Sequence, residues 1–164
     1  MQIQIFTDST HYKQVDSHFS VGEVKLKYRP VTKCSPKITS SKDCYEILKK
    51  IYNRDTISLN EQFVVLFLDR NNKVLGHSIL SIGGIGGTVA DQRLLFQRAL
   101  LMNASGIILS HNHPSGNLNP STADIGLTKK VIATGKILEI QVLDHLILIN
   151  EGYRSMADER DVTF

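Results

Sequence analysis

Ile107-Ile108-Leu109-Ser110-His111-Asn112-His113-Pro114-Ser115-Gly116 is an apolar run that gives way to two imidazoles and then to a proline and a glycine. Branched aliphatic residues followed by turn formers read as a short buried strand over residues 107–109, ending where the histidines begin. In extended backbone, residues i and i+2 share a face. His111 and His113 can therefore converge while Asn112 points away. Pro114 favours this geometry, because the residue before a proline is pushed toward the extended region. Pro120-Ser121-Thr122-Ala123-Asp124 follows. It opens a helix read over residues 122–134, with Gly135 stopping it in the C-cap position. Asp124, in the first turn, can swing back toward the strand end.

Working outward, Phe63-Val64-Val65-Leu66-Phe67-Leu68 is an unbroken apolar run that suits a strand buried on both faces. Asp69-Arg70-Asn71-Asn72 is a turn, and residues 74–82 form a return strand. Ser40 or Ser41 caps a helix ending near Tyr52, with Cys44, Ile47, Leu48 and Ile51 as its apolar stripe. A further helix spans residues 91–103, with Phe96, Ala99 and Leu100 on one face and Arg93 and Gln97 on another. Residues 140–143 and 146–149 read as two more strands. Gly83-Gly84-Ile85-Gly86-Gly87 lacks the Gly-Lys-Ser/Thr of a phosphate loop and reads as a flexible turn. Strands and helices alternate, so the class is α/β or α+β, a central sheet covered by helices. Residues 1–37 form an extension: Val24, Leu26 and Tyr28 alternate with charged residues as in a half-buried strand, and Pro30 and Pro36 mark a linker. Residues 38–164 form the main domain.

Two neutral imidazoles and one carboxylate suit zinc, a borderline-soft tetrahedral ion. Three protein ligands with an open position make a hydrolytic centre. Hydrolysis also wants a general base. Glu61, at the mouth of the strand at 63–68, is the candidate, and Glu46 on the first helix is its competitor. A bland reading stands beside the metal: Ser121-Thr122-Ala123-Asp124 is equally a helix capping pattern with an acid at N3. Three look-alikes fail. The His-Asn-His letters do not make the spread-out ββα segment of the nuclease family of that name. No Pro-Cys-x-x-Cys follows for a zinc deaminase. The barrel that carries His-x-His in amidohydrolases is typically about 250 residues long.

The chain has 164 residues, 41% of them hydrophobic, and a formal net charge of +3. That is enough apolar material for one core. No apolar run approaches the roughly 20 residues needed to cross a bilayer, and the amino-terminal residues lack a signal-peptide pattern. A cytoplasmic protein without a membrane partner is expected. Cys34 and Cys44 form no C-x-x-C pair and read as free thiols. The basic residues are dispersed, with a modest cluster over residues 25–37.

His-x-His-Pro followed by Ser-x-x-Asp resembles the JAMM motif of MPN+ (JAB-type) metalloproteases, with the nearest likeness to the RadC-like bacterial branch. The supporting segments are Glu61 to Asp69, Arg93 to Leu100, His111 to Gly116, and Val142-Leu143-Asp144-His145. The resemblance covers roughly residues 38 to 160. It implies an MPN-type curved mixed sheet flanked by helices, related to the deaminase fold. By position it implies His111, His113 and Asp124 as zinc ligands and Glu61 as general base. It implies Ser121 as the serine that helps hold the water or the developing oxyanion. His145 is read as structural, and His11, His18 and His77 as incidental. Full-length RadC-like proteins carry an N-terminal helix-hairpin-helix module of DNA-binding type, for which these 164 residues leave no room. The expected activity is zinc-dependent hydrolysis of a peptide or isopeptide amide. The alternatives are a DNA-repair or recombination factor that binds nucleic acid, and a non-catalytic MPN scaffold.

Overall fold

A computed structural model of the chain describes residues 13–16, 19–21, 35–83 and 90–164. The expectations for the strand at 24–28, Pro30, Cys34, most of the basic cluster, His11, His18 and Gly84 to Gly87 lie outside the described residues. Strands β1 (Lys13–Asp16) and β2 (Phe19–Val21) pair antiparallel. The rest runs α1 (Ser41–Ile51), β3 (Gln62–Leu68), β4 (Val74–Ile82), α2 (Gln92–Leu101), β5 (Gly106–Asn112), α3 (Thr122–Ile137), β6 (Gln141–Ile149) and β7 (Gly152–Ser155).

Five strands form one sheet in the order β4-β3-β5-β6-β7. Only β5 and β6 run parallel, and α3 supplies the crossover that a parallel pair requires. The neighbouring pairs are antiparallel. This is the mixed sheet flanked by helices that the sequence leads one to expect. Every residue of β3 is buried, because both faces are covered. Phe63, Val65 and Phe67 pack with Leu95, Phe96 and Ala99 of α2 and Val131 and Ile132 of α3. Val64, Leu66 and Leu68 pack with Cys44 and Leu48 of α1 and with Tyr52. Each fully buried Leu or Phe contributes about 1.5–3 kcal/mol, so the alternation of β3 fixes which helices lie on which side. Cys44 is a buried free thiol. Among the described residues no helix is long and apolar enough to cross a membrane.

Several boundaries differ from expectation, each for a tertiary reason. Residues 36–38 do not behave as a linker: the Val74 amide donates to Pro36 O and the Ile38 amide to Asn72 O, each at 2.9 Å. Leu100 is 57% exposed, and the buried face of α2 is Leu95, Phe96 and Ala99 instead. Met102, the C-cap, continues that face at the i+3 position from Ala99, on the opposite side of the helix from Leu100. Gly135 lies inside α3, which runs on to Ile137 with Leu138 as its C-cap. A Cβ at Gly135 would sit 2.5 Å from the backbone oxygen of Ile140, so the glycine permits a close approach rather than a helix stop. The two strands expected at 140–143 and 146–149 are one strand, β6, interrupted by a register shift opposite Ile107 and Ile108. The polar Asp144-His145 pair reads in sequence as a break. Strand β7 was not foreseen.

Candidate metal centre

His111, the penultimate residue of β5, lies on the α2/α3 face of the sheet beside Phe63, whose ring stacks on it with centroids 6.1 Å apart. Past the end of β5 the backbone stays extended, and the His113 amide donates to Leu148 O of β6 at 2.9 Å. His113 therefore keeps the face of His111, as the i, i+2 rule requires. The chain then folds back. Gly116 takes φ +78°, a left-handed conformation that glycine adopts without steric cost. The return brings Asn117 O within 2.6 Å of His113 Nδ1, which donates to it. That turns Nε2 of His113 toward the cluster, 2.9 Å from His111 Nε2.

Asp124 arrives from the first turn of α3. The capping reading holds for it, and the same carboxylate also lies beside both imidazoles. The Ser121 amide and hydroxyl donate to Asp124 Oδ2 at 2.7 and 2.6 Å, and the Asp124 amide donates to Ser121 Oγ at 3.1 Å, a full capping box. The second carboxylate oxygen, Oδ1, lies 3.4 Å from His111 Nε2, and Oδ2 lies 3.6 Å from His113 Nε2. The cap orients the carboxylate for the cluster. One donor atom from each of the three residues lies within 4.8 Å of the others, so the group can hold a metal ion. A tetrahedral ion with bonds of about 2.0–2.1 Å separates its ligand atoms by about 3.3 Å. The imidazole nitrogens are 2.9 Å apart, and Asp124 presents a different oxygen to each ring, Oδ1 at 3.4 Å to His111 and Oδ2 at 3.6 Å to His113.

The electrostatics fit such a cluster. The Asp124 hydrogen bond pushes the His113 imidazole above its ordinary range, with burial opposing it and the charge of Glu61 adding to the rise. Burial works against the Asp124 carboxylate. The adjoining His111 and His113 imidazoles and the Ser121 hydroxyl outweigh it and hold the group well below the usual carboxylate range. His145 is wholly buried and held well below the imidazole range by that burial, so it is neutral.

Glu61 precedes β3. Extending the antiparallel register from the Phe63–His111 pair places it opposite His113. Its backbone is braced from both sides. Gly83 N donates to Glu61 O at 2.8 Å, and Gln62 N donates to Asn112 Oδ1 at 2.7 Å. Asn112 points to the other face, as expected, and there its amide donates to Ile57 O and Asn60 O. Glu61 is half-buried and stands outside the His111–His113–Asp124 group itself. Glu46, the competitor, is exposed and pairs with Lys49 at 2.8 Å. Its helix covers the opposite face of the sheet from His111. His77 is exposed on β4.

Sequence reasoning missed Thr128 and Asn117, and assigned His145 no part in the site. Thr128 sits one helical turn beyond Asp124, and its hydroxyl lies 2.6 Å from His145 Nδ1. His145 Nε2 lies 2.8 Å from His111 Nδ1. The register shift explains why. Val142 sits with Ile107 on the α2/α3 face, and unbroken alternation would turn His145 to the other side. The extra residue in β6 restores His145 to the face of His111. Only the i, i+4 spacing of Asp124 and Thr128 was available as a signal.

A family model described as the RadC-like JAB domain matches residues 38–161. Among curated proteins, the chain is 50% identical over 123 residues to a UPF0758 protein of Flavobacterium johnsoniae, covering 75% of this chain and 52% of that protein. It is 39% identical over 123 residues to a UPF0758 protein of Methanosarcina acetivorans, with the same coverage of each. A UPF0758 protein of Staphylococcus carnosus is 35% identical over 140 residues, 85% of this chain and 60% of that protein. The chain thus spans about half the length of several curated relatives it matches.

Proposed function

Since the chain belongs to the RadC-like JAB domain family, we propose that it is a zinc metallopeptidase of the JAMM type, hydrolysing a peptide or isopeptide amide. The observation that carries the reading is the convergence of His111, His113 and Asp124 at the end of β5, with one donor atom from each within 4.8 Å of the others. In this reading those three residues hold zinc, and residues 38–164 are the catalytic unit with 1–37 as an extension. Zinc, when bound, would acidify water and polarise a carbonyl oxygen.

The remaining work falls to the chain's own side chains. Glu61 is the general base: it takes a proton from the attacking water as the new C–O bond forms at the amide carbon. When the C–N bond breaks, Glu61 returns that proton to the leaving amine nitrogen. The brace from Asn112 to Gln62 holds the approach of Glu61 to the cluster. Ser121 has two tasks in sequence. Its hydroxyl proton first orients Asp124, and on turning away it can donate to the developing oxyanion.

The test uses the purified chain, loaded with zinc, on a peptide and isopeptide library. Glu61→Gln is expected to keep its zinc and lose about 10²–10⁴-fold in turnover, the usual share of general acid–base catalysis. Asp124→Ala is expected to lose the metal. Full turnover by Glu61→Gln, or no cleavage of any library member by the zinc-loaded wild type, would overturn the reading.

A further inference from the structure

A line of hydrogen bonds runs behind the metal centre from the backbone oxygen of Asp124 to His111, whose far ring nitrogen faces the Asp124 carboxylate. The Thr128 hydroxyl lies 2.6 Å from the backbone oxygen of Asp124, one helical turn before it, and 2.6 Å from His145 Nδ1. His145 Nε2 lies 2.8 Å from His111 Nδ1, and His111 Nε2 lies 3.4 Å from Asp124 Oδ1. Thr128 and His145 are 0% exposed and His111 is 1% exposed, which bars solvent from competing.

With one proton on each imidazole, the protons along this line can be placed in one order only. The Asp124 carbonyl oxygen can only accept, so the single Thr128 hydroxyl proton goes to it. Turning that proton toward His145 would leave two bare oxygens 2.6 Å apart. The Thr128 oxygen therefore accepts from His145, whose one proton sits on Nδ1. Nε2 of His145 is then an acceptor, so His111 donates from its own Nδ1. His111 is left with a lone pair on Nε2, aimed between His113 and Asp124.

We propose that Thr128 and His145 are positioning residues. Through this line they lock His111 in the Nδ1–H tautomer, present its Nε2 lone pair to the metal, and so set the metal affinity. The inference rests on the zinc reading of the site and assigns the side chains behind its most buried ligand. Partners of this kind fix the orientation and tautomer of a ligating histidine, and their loss typically costs about 10–100-fold in metal affinity.

The experiment measures zinc binding to the full chain by chelator competition, and histidine ring ¹⁵N shifts on the metal-free protein. Thr128→Val keeps the side-chain shape without the hydroxyl and should weaken zinc binding about 10–100-fold. Thr128→Ser restores the hydroxyl and should recover wild-type affinity. The metal-free wild type should show His111 protonated on Nδ1, and Thr128→Val should mix the two tautomers. If Thr128→Val does not fold, the wild-type ring shifts still decide: a proton on His111 Nε2 overturns the inference. Wild-type affinity in Thr128→Val also overturns it. If the wild type takes no zinc but shows the expected tautomer, the metal reading fails and the tautomer lock stands.

Discussion

Removing the Asp144 carboxylate should expose how the register shift in β6 is held. Asp144 is 7% exposed and accepts from three donors. The amides of His145 and Ala157 both point at Oδ1, at 2.7 and 3.0 Å, and the Ser155 hydroxyl points at Oδ2 at 2.6 Å. Asp144→Ala strands the two backbone amides, which cannot turn away as a hydroxyl can. At about 1–3 kcal/mol for each unsatisfied buried group, and with some relief from removing a buried charge, the loss should be about 2–4 kcal/mol. That is a large share of the roughly 5–15 kcal/mol that stabilises a domain. Asp144→Asn keeps Oδ1 for both amides and lets Nδ2 donate to Ser155 Oγ, so its effect at pH 7 should stay within about 1 kcal/mol. Urea unfolding at matched zinc concentration reads both variants. The pH dependence gives a second arm. Burial raises the Asp144 pKa in the folded state. The stability tied to that proton is fully present below the ordinary carboxylate range and is lost as pH rises through the raised value. The wild type should therefore gain on Asp144→Asn as pH falls from 7 toward 4. Equal destabilisation by Asn and Ala at pH 7 would refute the hydrogen-bond account.

Other outcomes follow from single contacts. Gly135→Ala drives a Cβ to 2.5 Å from the Ile140 backbone oxygen, where no side chain can yield, and should cost about 1–3 kcal/mol by thermal or urea unfolding. In the metal-free protein, the raised His113 contributes stability that is lost as pH rises through its folded value. The lowered Asp124 contributes stability that is lost as pH falls through its own. The lowered His145 and His77 work the other way, losing stability as pH falls through the ordinary imidazole range, so the His113 share is read by difference: His113→Gln should cost the metal-free protein more stability near pH 5.5 than near pH 8. Zinc, which needs a deprotonated His113, should stabilise more at pH 8 than at pH 5.5. Glu46→Gln should leave turnover within about twofold, since α1 covers the face away from His111 and surface changes of this kind are near neutral.

The parts of the site that were legible in sequence are those set by local backbone period. The i, i+2 spacing of His111 and His113 on extended backbone, the Ser121–Asp124 cap and the doubly buried β3 each depend on neighbours a few residues away. That the Asp124 carboxylate both caps α3 and lies beside His111 was not legible, because the two contacts fall to different oxygens of one group. The rest was decided by contacts between distant segments. Pairing of β3 with β5 is what sets Glu61 opposite His113, and the division of the sheet into two faces is what separates Glu46 from them. The extra residue in β6, which no local pattern marks, turns His145 toward His111. The approach of Ile140 to α3 makes a mid-helix glycine out of one that looks like a stop. Local periodicity fixes where a side chain points relative to its own strand or helix. What it meets there depends on register and crossover, which belong to the folded chain as a whole.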